Sequence, residues 1–237
     1  MNRPLFASGE IYHIYNRGVE KRVVFSDDKD HYRFIHDLFE FNDEDATVNI
    51  YYRRSRLNEL SYEVQPRKVN QERKPRKLLV EILAFCLMPN HFHLLLRQLG
   101  KAGITRFMQK LGTGYTMYFN QRYERTGALF QGRFKSVVVS DDSHFIHLPY
   151  YIHANPLDLK FPEWRGKNIK NTREALAHLE NYRWSSFLDY IGRKNFPSVT
   201  SRQFLLDFCG GSKNYKRNFS QWLREISYEE LHGLTLE

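Results

Sequence analysis

Apolar and polar residues alternate through Ile11-Tyr12-His13-Ile14-Tyr15-Asn16, the period of a strand, and Arg17-Gly18 ends it with a turn. From Asp27 to Phe41 the period lengthens, with Phe34, Ile35, Leu38 and Phe39 on one face of an amphipathic helix. Residues 42–77 are polar, mixed in charge and weakly periodic, which reads as an inserted flexible or hairpin segment. Apolar character returns in Leu78–Leu87 and His91–Gln98, two strands joined through Pro89-Asn90. A helix over Ile104–Tyr123 and a fourth strand over Arg133–Val139 follow. The next helix takes Ser140 or Asp141 as its N-cap, is interrupted by Pro149 with a kink or restart, and ends before Pro156. The order β-α-β-β-α-β predicts an α+β, ferredoxin-like sandwich with an antiparallel sheet. Beyond it, a helix near Trp184–Tyr190 and helical stretches at Ser201–Phe208 and Tyr215–Ile226 predict a helical C-terminal extension. The expected division is a domain over 1–160, carrying the basic insert 42–77, and the extension over 161–237.

Composition adds a partner class. The chain has 237 residues and 36 Lys plus Arg against 27 Asp plus Glu, a net charge of +9 that favours polyanions. Basic residues alternate with aromatics at Tyr51-Tyr52-Arg53-Arg54, Arg122-Tyr123-Glu124-Arg125 and Arg133-Phe134-Lys135. Guanidinium groups hold phosphates while rings stack on unpaired bases, the pairing suited to single-stranded or hairpin DNA. Cys86 and Cys209 are the only cysteines, so a structural zinc site is not expected. With no signal peptide or membrane-length apolar run, a reducing cytoplasm is the expected location.

Two places carry candidate chemistry. His91 and His93 are two apart on a strand, so both imidazoles project from one face while Phe92 points to the other. They form a plausible half of a divalent-metal site, or simply a pair of strand histidines. Tyr151 and Asn155 are four apart and share a helix face, so a phenol and an amide address one place. A buried tyrosine beside a helix-ending Asn-Pro is the plainer alternative. Tyr150 is turned about 100° from Tyr151, and Tyr115, Tyr118 and Tyr123 read as core or base-stacking groups.

Taken together, Pro89-Asn90-His91-Phe92-His93, Tyr151-Ile152-x-x-Asn155-Pro156, the stretch from Tyr118 through Ser136, and Tyr182-Arg183-Trp184-Ser185-Ser186 resemble the HUH-superfamily single-tyrosine transposases. Within them the chain is most similar to the group associated with repetitive extragenic palindromes, over residues 8 to 192. The resemblance implies cleavage and joining of single-stranded DNA at hairpin-forming sequences through a covalent 5′-phosphotyrosine. It implies Tyr151 as nucleophile, with His91, His93 and Asn155 as ligands of Mg²⁺ or Mn²⁺, although relatives often have glutamine in place of Asn155. Arg17, Arg122, Arg125, Arg133 and Lys135 are the expected DNA contacts, in a monomer or homodimer. The alternative is a non-catalytic hairpin DNA- or RNA-binding protein on the same fold, against which the presence of all four site residues argues.

Overall fold

A computed structural model describes residues 6–45, 75–139, 142–166, 169 and 171–225, so most of the insert 42–77, with its basic clusters before residue 75, lies outside the described residues. The elements are β1 (Ile11–Arg17), α1 (Asp28–Glu40), β2 (Val80–Met88), β3 (His91–Gln98), α2 (Gly103–Arg122), β4 (Lys135–Val138), α3 (Asp142–Ala154), α4 (Thr172–Asn181), α5 (Phe187–Tyr190), α6 (Gln203–Cys209) and α7 (Ser212–Glu225). The sheet order is β2-β3-β1-β4, with every neighbouring pair antiparallel. Two crossover helices, α1 and α2, each return the chain to a strand two positions away, which is the ferredoxin-like arrangement expected from the pattern.

The sheet is buried on both faces. Tyr12, Ile14, Phe85, Leu87, Phe92, Leu94 and Leu96 pack under α1 and α2, through Phe34, Leu38, Phe107 and Leu111. The opposite face offers Ala84, Cys86, Met88 and Leu95 to α3 and the C-terminal helices. A bulge between Ile82 and Ala84 shifts the β2 register, moving Leu83 to that second face. α1 begins as its sequence requires, the Asp27 carboxylate accepting from the N–H groups of Lys29 and Asp30.

Three local expectations change. One helix spans Asp142–Ala154 with Pro149 inside it, and the chain passes on into a 3₁₀ segment, Asn155–Leu159. Whether Ser140 or Asp141 caps it lies outside the described residues. Trp184 to Ser186 is not helical: Leu87 N–H donates to Trp184 O at 2.9 Å and Ser186 N–H to Phe85 O at 3.0 Å, covering the open edge of β2. The helix there is only Phe187–Tyr190, and a separate one, α4, precedes it. The extension shares its apolar core with α3: Tyr150, Ile152 and Leu157 pack with Tyr190, Tyr215, Phe219 and Trp222.

Candidate active site

β3 does what its alternation promises. His91 and His93 leave the sheet on the face opposite Phe92, with ring centroids 5.0 Å apart and planes at 85°. The register places Arg17 and Met88 beside His91, and Tyr15 and Cys86 beside His93. Lys135 of β4 pairs with Tyr15, its ammonium 5.6 Å from that ring. β1 can turn sharply after Arg17 because Gly18 has no Cβ; one built there would meet Arg22 O at 2.3 Å.

Hydrogen bonds orient both imidazoles. His91 Nδ1 lies 2.6 Å from Asn90 Oδ1, an atom that only accepts, so Nδ1 carries the proton and Nε2 keeps its lone pair. That Nε2 is buried and has no hydrogen-bond partner among the described residues. Burial first, and then the charge of Arg17, pushes the His91 pKa down to about 4. The pKa of His93, fully buried, is also lowered, burial again being the main cause. Its Nδ1 is 2.9 Å from His13 Nε2, and if His93 donates in that bond its own Nε2 keeps its lone pair. Neutral imidazoles with a free lone pair are the form that binds a cation.

α3 carries Tyr151 to His93 and His13. The phenol ring is 5.9 Å from His93 and 6.3 Å from His13, edge-on to each. Asn155, one turn later, donates from Nδ2 to Tyr151 O at 2.8 Å, which leaves its Oδ1 to accept from another group. α3 is pinned from behind: His153, kept neutral by burial, shares 2.7 Å hydrogen bonds with Tyr215 Oη and Ser186 Oγ. Tyr150 faces that other side, against Tyr215, Phe219 and Trp222. Tyr115 donates to Val24 O, and Tyr118 and Tyr123 donate to Asp30, so these phenols are placed away from the histidines.

A residue not anticipated from sequence completes the cluster. Arg165, in the 3₁₀ segment Pro162–Gly166, donates from Nη1 to Tyr151 Oη and from Nη2 to Asn155 Oδ1, both at 3.3 Å. Asp158 holds it in a two-point ion pair, at 2.9 Å to Nε and 2.7 Å to Nη2, and also accepts from Trp164 Nε1. Burial opposes the charge on Arg165, but the Asp158 hydrogen bond, the attraction of Tyr151 and the Asp158 charge outweigh it and raise the pKa. His13 was missed as well, though it shares the alternating face of Ile11, Tyr15 and Arg17.

The expected DNA contacts fall into two groups. Arg17 and Lys135 lie beside the histidine face, and Arg133 is exposed in the loop entering β4. Arg122 and Arg125 stand at the end of α2, where Arg122 is bound by Asp27 and Asp30 and Arg125 by Asn120 and Ala128 O.

Residues 45–155 match the family model described as "Transposase IS200 like". The resemblance read from the motifs is borne out. The match takes in β2, β3, α2, β4 and α3, and with them His91, His93, Tyr151 and Asn155. Over that stretch the chain is similar to IS200-like transposases. No curated protein matches it in sequence. A solved structure entitled "Structure of the REP associates tyrosine transposase bound to a REP hairpin" aligns over 85% of this chain and 90% of its own, at 13% identity and a TM-score of 0.44.

Proposed function

We propose that the chain is a metal-dependent, single-tyrosine transposase that cuts and rejoins single-stranded DNA at hairpin-forming sequences. The observation that carries this reading is the Tyr151 ring edge-on to His93, with His91 beside it on β3 and Asn155 bonded to the Tyr151 backbone, within the stretch that matches the transposase family. Tyr151 is the nucleophile. Its Oη bonds to the scissile phosphorus as the P–O3′ bond breaks, giving a 5′-phosphotyrosine and a free 3′-hydroxyl. The phenolic proton leaves to water, and the departing 3′ oxygen takes one from water. The later attack of a 3′-hydroxyl on the phosphotyrosine reverses these changes and joins strands.

His91, His93 and Asn155 are the proposed holders of Mg²⁺ or Mn²⁺. Among the described residues no group of three or more His, Cys, Asp or Glu could hold a metal ion; the amide oxygen of Asn155 is the proposed third donor. The residues fit the ion in chemistry: one imidazole nitrogen is buried without a partner, and both rings are neutral. When bound, the cation polarises the phosphate and orients it for in-line attack. DNA contacts are proposed for Arg17, Lys135 and Arg133, with Arg122 and Arg125 contributing less because their guanidinium groups already hold protein acceptors. No helix among the described residues is long and apolar enough to cross a membrane. The proposed location is the cytoplasm.

The test uses a synthetic hairpin with single-stranded flanks, drawn from the DNA adjoining the chain's own gene, and scores a denaturation-resistant complex. Tyr151→Phe abolishes the adduct while hairpin binding persists, and His91→Ala or His93→Ala removes the stimulation by Mg²⁺ or Mn²⁺. An undiminished adduct in Tyr151→Phe moves the nucleophile elsewhere, and metal-stimulated cutting retained in both histidine variants sinks the ligand assignment.

A further inference from the structure

Arg165 lies outside the stretch that matches the family, yet its guanidinium touches the oxygen of the proposed nucleophile. Tyr151 is fully buried, whereas the Arg165 side chain is 31% exposed, so an anion approaching that hydroxyl meets the guanidinium on its way. Asp158 engages Nε and Nη2 and fixes the plane of the fork. Nη2 also reaches Asn155 and Nη1 reaches Tyr151, which leaves one Nη1 hydrogen with no acceptor among the described residues. A charged donor is thus aimed at the place where a phosphate must sit if Tyr151 is to attack it.

We propose that Arg165 is a catalytic residue, binding the non-bridging oxygens of the scissile phosphate and stabilising the negative charge that builds there as Tyr151 Oη bonds to phosphorus and the P–O3′ bond breaks. The proton balance of the step is as already given; Arg165 neither gains nor loses a proton. Asp158 is a positioning residue that acts through Arg165. This rests on the reading of Tyr151 as the nucleophile.

The experiment pairs protein variants with a hairpin carrying either a normal phosphate or an uncharged methylphosphonate at the cleavage position. Removing one preorganised donor to a developing oxyanion costs about 10²–10³-fold, so Arg165→Ala loses adduct formation by that factor. Its hairpin affinity stays within about threefold, because the lost interaction is one made in the transition state. The native chain strongly prefers the charged linkage, whereas Arg165→Ala treats both linkages alike and regains part of its rate with added guanidinium ion. Arg165→Lys keeps an intermediate rate, and Asp158→Asn, which loosens the fork, loses about 10–100-fold. Arg165→Ala forming adduct within about threefold of the native rate overturns the proposal, as does an unchanged preference for the charged linkage. If Arg165→Ala does not fold, the linkage preference of Arg165→Lys decides: a preserved native rate and preference overturn the proposal, and a weakened preference supports it. Adduct surviving in Tyr151→Phe overturns the nucleophile itself; adduct lost there but normal in Arg165→Ala overturns only the role of Arg165.

Discussion

Among the described residues, two clusters are built from arginine, aspartate and tyrosine, one beneath each face of the sheet. On the α1–α2 side, Arg122 donates to Asp27 and Asp30, while Tyr118 and Tyr123 give their protons to Asp30 at 3.0 and 2.8 Å. Two carboxylates face one guanidinium, and Asp30 is wholly buried. Burial raises the pKa of Tyr118 to about 12; Arg122, which donates to its hydroxyl at 2.9 Å, opposes the shift, and the Asp30 carboxylate adds to it. On the α3 side one carboxylate, Asp158, faces Arg165, and the phenol of Tyr151 accepts from the guanidinium. The two clusters therefore differ in the carboxylate to which Tyr118 and Tyr123 donate. A phenol that donates to a carboxylate is held protonated, whereas one that accepts from a guanidinium has a partner that favours negative charge on its oxygen. The first cluster closes on itself and joins α1 to α2; beside the second, His91 Nε2 is buried without a hydrogen-bond partner among the described residues.

The largest effect should come from breaking the closed cluster. Asp30→Ala leaves Arg122, two phenols and the Ser26 N–H without their shared acceptor, and removal of one partner from a buried charge network costs about 3–5 kcal/mol. Urea unfolding should show that loss, while adduct formation per folded molecule stays at the native level. A cost below about 1 kcal/mol would mean that the cluster is no more than a surface ion pair.

Much of this division could be read along the chain. The His91–His93 alternation, the Tyr151–Asn155 spacing and the strand–helix order are short-range patterns, and each survives folding because one period fixes one face. Arg165 could not be read this way. It follows Asn155 by ten residues through two 3₁₀ segments, and only their path returns its guanidinium to the phenol. α4 was obscured because just Ala175 and Leu179 of its ten residues are buried, too few to mark an apolar stripe. Trp184 looked helical beside Phe187 and Leu188, but the backbone of Trp184 and Ser186 answers the unpaired edge of β2, a demand set by tertiary structure.

A smaller effect separates the clusters by pH. The Arg122 hydrogen bond is the main cause that holds Asp27 at a pKa of about 2, below its ordinary 3.8. A carboxylate depressed on folding stabilises the fold above its unfolded pKa, and that contribution disappears as pH falls from about 4 through 2. Asp27 is 46% exposed, so solvent screening reduces the gain to on the order of 1 kcal/mol. In Arg122→Ala, stability followed by denaturant titration between pH 5 and about 2 should fall less steeply than in the native chain. An identical acid slope would detach Asp27 from Arg122.

The smallest effect concerns which cations remain for DNA. Arg122 is saturated by carboxylates, whereas Arg133 is exposed and precedes β4, the strand that brings Lys135 beside Tyr15. A cation that neutralises a phosphate releases counterions, and its loss makes the salt dependence of binding shallower by about one unit of log–log slope. Arg133→Ala should show that change when hairpin binding is measured by fluorescence anisotropy across a salt series. Arg122→Ala should lower stability and alter the slope less, because its charge is already countered by Asp27 and Asp30. Equal slope changes in the two variants would show that carboxylate pairing does not decide which arginines reach the backbone of DNA, and the contrast between a closed and an open cluster would then fail for Arg122.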